Sequence, residues 1–211
     1  MTGVQTCDLP ILAVALHQRG VACDVFEAVP EVKEIGVGIT LLPHAMRELT
    51  ALGLLPALQA VAIENLESVF FNRFGQFIYK EPRGRHAGYA LPELGIHRGK
   101  LHRILYDAVV KRLGADRVHT NHRCVGVTQD SAGATVNFVQ GSDGAALPSA
   151  QADIVIATAL IPGRKPPVLL HTATVEQMKP GSIVIDIAAG RGDNGSGNCP
   201  LTEADKIVEK N

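Results

Sequence analysis

The 211-residue sequence contains no tryptophan, and only 4% of its residues are aromatic. An aromatic platform for stacking the bases of single-stranded nucleic acid is therefore not expected. The 20 basic and 21 acidic residues leave a formal net charge of −1, and no block of basic residues occurs. The sequence thus lacks the positive field that attracts nucleic acid or an anionic membrane surface.

A long apolar run is also missing. No stretch approaches the ~20 residues that span a bilayer. The apolar segment 9–16 has no Lys or Arg before it, so we interpret it as part of a core and not as a signal peptide. The four cysteines (Cys7, Cys23, Cys124 and Cys199) form no CxxC pair. Unpaired thiols are typical of a reducing compartment, so we expect a cytoplasmic protein without membrane insertion.

The sequence gives little indication of a metal site or of acid–base catalysis. His119, His122 and Cys124 have the composition of a metal cluster, but residues 119 and 122 of one continuous strand would point to opposite faces. We therefore predict no metal site. His97 is expected in a loop and His102 on a helix surface, with no nucleophile for either to serve, so no catalytic residue is assigned.

Hydrophobic residues make up 46% of the chain, which is enough for a core. Helical periodicity and start or stop residues predict helices over 11–19, from Pro43 to Gly53, over 99–113, over 174–178 and from 202 onward. Apolar runs and turn residues predict strands over 21–27, 69–71, 77–79, 118–119, 123–128, 135–139, 152–157 and 182–188, with a loop over 141–151. This alternation predicts an α/β fold, Rossmann-like, with a largely parallel sheet.

Two dinucleotide-binding signatures occur, and each is incomplete. Such a site needs a strand, a glycine-rich turn, a helix whose amides hold the diphosphate, and an acid about 20 residues on for the ribose. Glu27 lies where that acid belongs, but the preceding segment MTGVQTCDLPI has a single glycine and has Pro10 where the helix should begin. A literal G-x-G-x-x-G at Gly190, Gly192 and Gly195 is followed by Pro200 instead of a helix.

Residues 12 to about 156 resemble the FAD-binding part of class A flavoprotein monooxygenases, of the phenazine and salicylate hydroxylase type. The motifs are LAVALHQRG, DVFEA, EIGVGITLLPHAMRELTALGL, EPRGRHAG, GIHRGKLHRILYDAV and ADIVIA. The resemblance implies that Glu27 binds the adenosine ribose, that Gly36, Gly38 and Ile39 pass near the ribityl chain and flavin, that Arg98 reaches the ribityl–diphosphate region, and that the Val125 backbone touches adenine. In that family the strand ADIVIA runs into a GADG-type motif, which is absent here.

Residues 153–211 instead resemble the NAD(H)-binding domain of the NAD(P) transhydrogenase alpha subunit and of alanine dehydrogenase. The motifs are DIVIATALIPGRKPPVLL, VEQMKPGSIVIDIAA and GNCPLTEADKIVEK. The resemblance implies a nicotinamide pocket bordered by Ala159, Leu160, Asp186 and Asn198, although GRGDNGSGN is longer than the family's loop before Asn198.

We therefore expect a fused sequence: an N-terminal segment over 1–11 that fits neither family, a partial FAD-binding domain over 12–156, and a partial NAD(H)-binding segment over 157–211. The first functional hypothesis is an NAD(P)H-dependent FAD monooxygenase fragment acting on a small aromatic substrate, with impaired activity because the diphosphate turn is missing. The second is a transhydrogenase-like NAD(H) module with an NADP-binding partner subunit. The third is a non-catalytic α/β fragment.

Overall fold

The computed structural model describes residues 8–34, 36–130, 133–152, 154–157, 166–176, 178, 183–186, 188–190 and 197–209. The helices in these ranges are α1 (Asp8–Gln18), α2 (Pro43–Ala51), α3 (Leu55–Gln59), α4 (Arg98–Leu113) and α5 (Thr172–Glu176). The strands are β1 (Val25–Phe26), β2 (Gly38–Leu41), β3 (Ile63–Glu64), β4 (Glu67–Phe71), β5 (Phe77–Pro82), β6 (Leu94–His97), β7 (Val118–His119), β8 (His122–Asp130), β9 (Gly133–Gln140), β10 (Ala146–Ala152), β11 (Ile154–Ala157) and β12 (Ile183–Asp186). Short 3₁₀ turns cover Gly84–Ala87 and Ala115–Arg117.

The chain divides into two compact units. The first unit comprises residues 9–24 and 32–117, and the second comprises residues 1–8, 25–31 and 118–211. The chain passes between the units more than once, so neither unit is one continuous segment.

In the first unit, β2, β6 and β3 form an antiparallel sheet in that order, and β4 pairs with β5 as a separate two-stranded ribbon. The helices contribute the larger part of the core. The fully or nearly fully buried side chains include Val14, Met46, Leu49, Leu58, Leu94, Ile96, Leu101, Leu105 and Val109. The ribbon, by contrast, contributes no buried hydrophobic side chain to this core.

Local sequence signals place the helix ends of the first unit. Helix α2 begins at Pro43, whose fixed φ suits the first helical position, and its last turn closes through the left-handed Gly53. Helix α4 stops at Gly114, which also has a positive φ. The predicted start and stop of α2, the predicted α4 and the predicted strands over 69–71 and 77–79 are confirmed, and the two strands pair across Gly75.

One expectation for α4 is wrong. His102 was expected on the helix surface, but it is buried, on the same side as Leu101, Leu105 and Val109. Hydropathy predicts an apolar face of Leu101, Ile104, Leu105, Ala108 and Leu113. Leu101 and Leu105 are buried, but Ile104, Ala108 and Leu113 are only partly buried, while His102 and Val109 are buried instead. Tertiary packing, and not the hydropathy of the helix alone, selects that face.

In the second unit, β1 pairs with β7 and β11 pairs with β12, both in parallel, while β8, β9 and β10 form an antiparallel meander. A small core joins the meander to the C-terminal region. Its buried members are Val127, Ala134, Leu170 and Cys199, with Val184 and Leu201 packed against them.

Three secondary-structure predictions in this region need correction. The strand predicted over 21–27 is only Val25–Phe26. The loop predicted over 141–151 contains β10, whose pairing with β9 is irregular between Leu147 and Ala150, around Pro148, which has no N–H to donate. The helix predicted from Thr202 does not form within residues 202–209, since Asp205 is left-handed and the Thr202 hydroxyl bonds to Asp186.

The predicted α/β class is confirmed. Among the described residues, parallel pairing occurs at β1–β7 and β11–β12, and the other pairs are antiparallel. Short connections join the strands of β4–β5, β8–β9 and β9–β10, whereas long segments separate β6 from β2 and β3. No helix in the described part of the chain combines the length and apolar character needed to cross a membrane.

Candidate functional site

The main chain around Glu34 passes directly over the first turn of α4. Gly99, in that turn, is buried, and a Cβ atom built on it would lie 2.4 Å from the carbonyl carbon and 2.6 Å from the Cα of Glu34. These are backbone atoms that cannot rotate aside. Glycine at position 99 is therefore what allows the two segments to approach so closely.

Two residues further along this crossing, Gly36 lies against Arg98. Gly36 has a φ of +140°, and a Cβ on it would lie 2.9 Å from Arg98 Nε and 3.0 Å from Arg98 Cβ. The Arg98 N–H donates to the Val37 carbonyl at 2.9 Å. His97 Nε2 lies 2.9 Å from the Gly36 carbonyl oxygen, which can only accept, so this ring nitrogen carries the proton.

Strand β2 continues from this crossing. Gly38 pairs with His97 and Ile39 pairs with Ile96 on β6. A Cβ at Gly38 would meet no atom within 4 Å, and Ile39 is 38% exposed. The structure thus brings together four predicted residues, Gly36, Gly38, Ile39 and Arg98, which we call the glycine–arginine cluster. Arg98 is half-buried and makes no side-chain ion pair with the residues that the structure describes.

Glu27, in the second unit, follows directly after β1. Its N–H donates to the His119 carbonyl at 2.9 Å, and its own carbonyl accepts from His122 N–H at 2.8 Å. One carboxylate oxygen, Oε1, accepts the Val29 N–H at 3.0 Å. Glu27 therefore lies at the tip of a parallel strand, as predicted. One of its two carboxylate oxygens is hydrogen-bonded to the main chain two residues further on, where the chain turns.

Val125 lies on β8 at a break in the register of the β8–β9 pair. Cys124 pairs with Phe138 and Gly126 with Asn137, so Val125 is the extra residue of a β-bulge and is more than half exposed. A bulge residue leaves the ladder locally unpaired. This geometry suits a residue that contacts a ligand through its backbone.

His119 and His122, beside Glu27, lie closer to each other than the sequence predicts. They were expected on opposite faces, but their rings lie 5.5 Å apart and both pack against Phe26. A turn with left-handed Asn121 separates β7 from β8, so the strand alternation does not run through these positions. Even so, the described residues contain no group of three or more His, Cys, Asp or Glu arranged to hold a metal.

At the carboxyl ends of β11 and β12, Ala157 pairs with Asp186. Both oxygens of the Asp186 carboxylate are used by the chain: Oδ1 accepts the Ala188 N–H at 3.0 Å, and Oδ2 accepts the Cys199 N–H at 2.9 Å and the Thr202 hydroxyl at 2.8 Å. A Cβ on Gly197 would lie 2.2 Å from Oδ2. The hydrogen bonds of Asp186 therefore hold the C-terminal loop against the end of β12.

Asn198 supports the same loop and is fully buried. Its side-chain amide donates to the Pro167 carbonyl at 2.8 Å, and its own carbonyl accepts from the N–H groups of Leu169 and Leu170. Ala159 and Leu160, the other two residues predicted for this pocket, lie outside the described residues, as do Gly192 and Gly195 of the G-x-G-x-x-G motif.

A small cleft lies elsewhere in the first unit, between the ends of α1 and α4. It has a volume of about 140 Å³ and is lined by His17, Val21, Ala22, Cys23, Leu113 and Arg117. None of the predicted site residues lines it, and it is too small for a dinucleotide. Burial and the neighbouring Asp24 carboxylate raise the pKa of the Cys23 thiol there.

Two groups of residues at these sites escaped the sequence reasoning. The sequence pattern identifies Gly99 only as the start of a helix, although a glycine in the first turn of an otherwise regular helix signals a close backbone approach. Cys199 and Thr202 were not connected with Asp186, because a contact across 13 or 16 residues of loop has no local signature.

Comparison with known proteins finds similarity to two kinds of protein. The family profile described as alanine dehydrogenase/PNT, C-terminal domain, matches residues 108–211. The chain is 55% identical over 58 residues to an NAD(P) transhydrogenase subunit alpha polypeptide of Rhodospirillum rubrum, which covers 28% of this chain and 14% of that protein.

A different similarity covers more of the chain. It is 36% identical over 145 residues to phenazine 1,6-dicarboxylic acid hydroxylase PhzS of Lysobacter antibioticus, covering 68% of this chain and 36% of that protein. The fold is similar to p-nitrophenol 4-monooxygenase PnpA from Pseudomonas putida DLL-E4, with a TM-score of 0.62, 19% identity, and coverage of 71% and 37% of the two chains. The chain therefore spans about a third of these monooxygenases and combines a flavin monooxygenase-like region with a transhydrogenase alpha-like region.

Proposed function

We propose that the chain carries part of the FAD site of an NAD(P)H-dependent aromatic hydroxylase and, in its present form, retains FAD weakly or not at all. The observation that carries this proposal is the glycine–arginine cluster. Its crossing over α4 needs glycine at positions 36 and 99, and it leaves the Arg98 guanidinium without an acidic partner among the described residues. Such a cationic group beside exposed backbone suits an anionic cofactor.

The residues present fit the sugar-binding parts of a flavin dinucleotide. Glu27 lies at a strand tip, and its carboxylate Oε2 accepts no hydrogen bond from the residues that the structure describes, so it is placed to accept one from a ribose hydroxyl. Val125 offers backbone at a β-bulge. A carboxylate can accept hydrogen bonds from two ribose hydroxyl groups more strongly than a neutral side chain can.

The residues present do not fit the diphosphate. Helix α1 begins at Asp8 and carries Pro10 in its first turn, where a proline has no N–H to donate. No glycine occurs in the sequence between positions 4 and 12, so the tight turn that brings backbone amides to the diphosphate is not encoded there. We therefore propose that activity is reduced together with FAD binding.

The test is the flavin content of the purified chain and its affinity for added FAD. We expect no flavin absorbance band after purification and no saturable quenching of flavin fluorescence at micromolar FAD. Replacing residues 1–11 with a β-strand followed by G-x-G-x-x-G should increase the affinity by at least about tenfold, since several charge-assisted hydrogen bonds are restored.

A matched pair of variants checks the assignment in the repaired chain. Glu27→Gln should weaken FAD binding there, whereas Glu31→Gln, an exposed acid on the same segment, should not. Stoichiometric FAD bound by the unrepaired chain would contradict the proposal, and so would a repaired chain that binds FAD no better.

A second candidate function, an NAD(H)-binding module that works with an NADP-binding partner subunit, is favoured by one observation. The parallel pair β11–β12 ends its strands together at Ala157 and Asp186, and ligands of parallel sheets bind at such carboxyl ends. The carboxylate of Asp186 and the amide of Asn198 are used by the chain itself, so we propose that they shape this pocket and that the backbone around them would meet the nicotinamide.

This candidate is tested by titrating NADH into the flavin-free chain and following nucleotide fluorescence. Saturable NADH binding would support the module if Leu160→Asp abolishes it and added FAD leaves it unchanged. If NADH does not bind and the chain repaired at residues 1–11 does not bind FAD, the hypothesis of a non-catalytic α/β fragment remains.

A further inference from the structure

The antiparallel meander of β8, β9 and β10 has one apolar face and one polar face. Val127 on β8 pairs with Val136 on β9, and Ala134 lies two residues from Val136, so these three side chains point to the same side of the sheet. On the opposite side Thr128 is exposed, and its hydroxyl accepts a hydrogen bond from the Asn137 amide at 3.4 Å. A sheet with one apolar face must bury that face against another element.

The cover of the apolar face comes from the C-terminal part of the chain, and we call the described residues between 166 and 209 the C-terminal segment. Its Leu170 is completely buried and its Cys199 is 1% exposed. Both side chains belong to one core with Val127 and Ala134. Further apolar side chains of the segment, each partly buried, pack against that core: Leu169, Val175, Val184 and Leu201.

Hydrogen bonds join the C-terminal segment to the same part of the fold. The Thr174 hydroxyl donates to the Val127 carbonyl at 3.1 Å. Strand β12 of the segment pairs in parallel with β11, which directly follows the meander, along the whole length of both strands. Within the segment, the Asn198 carbonyl accepts from the Leu170 N–H at 3.0 Å and so fixes the buried leucine. Apolar burial, a side-chain hydrogen bond and strand pairing therefore all hold the segment in place.

This core crosses the boundary that the two resemblances draw near residue 156. Its meander residues belong to the flavin monooxygenase-like region, and its other residues belong to the transhydrogenase alpha-like region. In the described part of the segment, Leu170 and Cys199 are the two largest buried apolar side chains, and both pack against the meander. The described segment thus has no hydrophobic core of its own, which an independent domain needs.

We propose that the apolar face of the meander is the docking surface for the transhydrogenase alpha-like segment of the same chain, and that the two regions unfold together. The contacts, and not the connecting residues, hold the segment on this face. The segment should therefore stay bound when the chain between the two regions is cut. The inference does not depend on whether either cofactor binds.

The first measurement uses the unmodified chain in a series of urea concentrations. Alkylation of the Cys199 thiol reports release of the segment, because this side chain is buried in the shared core. Exchange of the β9 main-chain amides reports opening of the meander, and mass spectrometry follows both reactions. We expect the two to begin at the same urea concentration. Alkylation of Cys199 at a concentration where the β9 amides remain protected would overturn the proposal.

The variant Leu170→Asp tests the docking contact directly, because it places a charge in the buried core. Without urea, we expect Cys199 to be alkylated at least about tenfold faster and the β9 amides to lose protection. The amides of α4 should stay protected, since α4 belongs to the first unit. Val168→Asp is the matched control: Val168 is two residues away and 42% exposed, and this change should leave both readouts as in the unmodified chain.

A milder variant keeps the test valid if Leu170→Asp unfolds the whole chain. Leu170→Ala leaves a cavity without adding a charge, and it should still speed alkylation of Cys199 and lower the protection of β9 together. Faster alkylation of Cys199 in either variant, with the β9 amides as protected as in the unmodified chain, would show that the meander does not need the segment.

A cut between the two regions gives an independent test. A protease recognition sequence inserted between Pro162 and Gly163 allows the folded chain to be cleaved there. The two pieces should elute together from a gel-filtration column without denaturant and separate in urea. With Leu170→Asp added, they should separate without urea. Separation of the pieces without urea in the chain that keeps Leu170 would contradict the docking.

Discussion

At the scale of single residues, Asp186 shows how one side chain can hold a loop. Its two carboxylate oxygens accept three hydrogen bonds, from residues 188, 199 and 202. All three donors lie in the segment that follows β12, so the strand end and the C-terminal loop are joined through one carboxylate. When a buried donor loses its acceptor, the desolvation penalty of the unpaired donor exceeds the free energy that the hydrogen bond contributed.

We therefore expect Asp186→Ala to lower the free energy of unfolding by about 2–4 kcal/mol, measured by urea denaturation. Thr202→Val removes only one of the three bonds and should lower it by about 1 kcal/mol. Equal effects of the two substitutions would mean that Asp186 does not hold the loop as described. If the second unit also binds NADH, Asp186→Ala should weaken that binding through the loop, and Thr202→Val should do so less.

The thiols are a second feature at this scale. Burial raises the pKa of the Cys124 thiol, and burial together with the Asp24 carboxylate raises the pKa of the Cys23 thiol. A raised pKa lowers the fraction of thiolate near neutral pH, and the thiolate is the reactive form. Both cysteines should therefore be poor nucleophiles in the folded chain.

At about pH 7.5 we expect Cys23 and Cys124 to react with iodoacetamide at least about threefold more slowly in the folded chain than in urea. Raising the pH above the ordinary thiol range should remove part of this difference, because the thiolate fraction then grows in the folded chain. Peptide mass spectrometry gives the rate at each cysteine. Folded and unfolded rates that match at both positions would contradict the assigned burial.

At the scale of secondary-structure elements, the crossing of the chain over α4 is the feature that arranges the glycine–arginine cluster. Helix propensity alone favours alanine over glycine at position 99 by about 1 kcal/mol. The structure reverses this preference, because the alanine Cβ would lie 2.4 Å from the Glu34 backbone. Local preference and tertiary contact therefore make opposite predictions for the same substitution.

We expect Gly99→Ala to lower the free energy of unfolding by about 1–3 kcal/mol and to weaken any FAD binding of the repaired chain. Gly38→Ala is the matched control, since position 38 has open space and an ordinary φ, and it should change stability by less than about 0.5 kcal/mol. Thermal unfolding of the two variants checks this. A stabilised Gly99→Ala variant would show that the crossing is looser than described.

Elements that follow local rules were predictable. Helix α2 begins at a proline and ends at a glycine, and the ribbon turns at Gly75, so nearby residues suffice to place them. Strand β10 was missed because Pro148 and small polar residues suggest a loop, while its pairing comes from β9. The helix expected after Thr202 does not form within residues 202–209; there the Thr202 hydroxyl bonds to distant Asp186 and Asp205 is left-handed.

At the scale of the whole molecule, the chain combines regions similar to two different oxidoreductases but spans only 36% of PhzS and 14% of the transhydrogenase subunit. In a flavin hydroxylase the flavin performs the chemistry, and the protein must bind and orient it. If Glu27 and Val125 contact the sugar as proposed and the diphosphate turn is missing, FAD binding and turnover should both be lost.

We accordingly expect NAD(P)H oxidation by the chain, with FAD, oxygen and an aromatic carboxylic acid supplied, to be no faster than in the same mixture without protein. The measurement is the loss of NAD(P)H absorbance. The chain repaired at residues 1–11 serves as the comparison for FAD binding. Substrate-stimulated oxidation by the unmodified chain would contradict the impaired site that we propose.

Residue type and short spacing were enough to predict the α/β class, the ends of the main helices and the two resemblances, and they show that no glycine occurs between positions 4 and 12. The folded chain adds that His119 and His122 lie together, that position 99 needs glycine, that His102 is buried and that Asp186 and Asn198 bond to their own loop. These are contacts between residues distant in the chain, or consequences of a turn that interrupts a strand. No local pattern encodes them, since the free energy that selects them comes from packing in the folded chain.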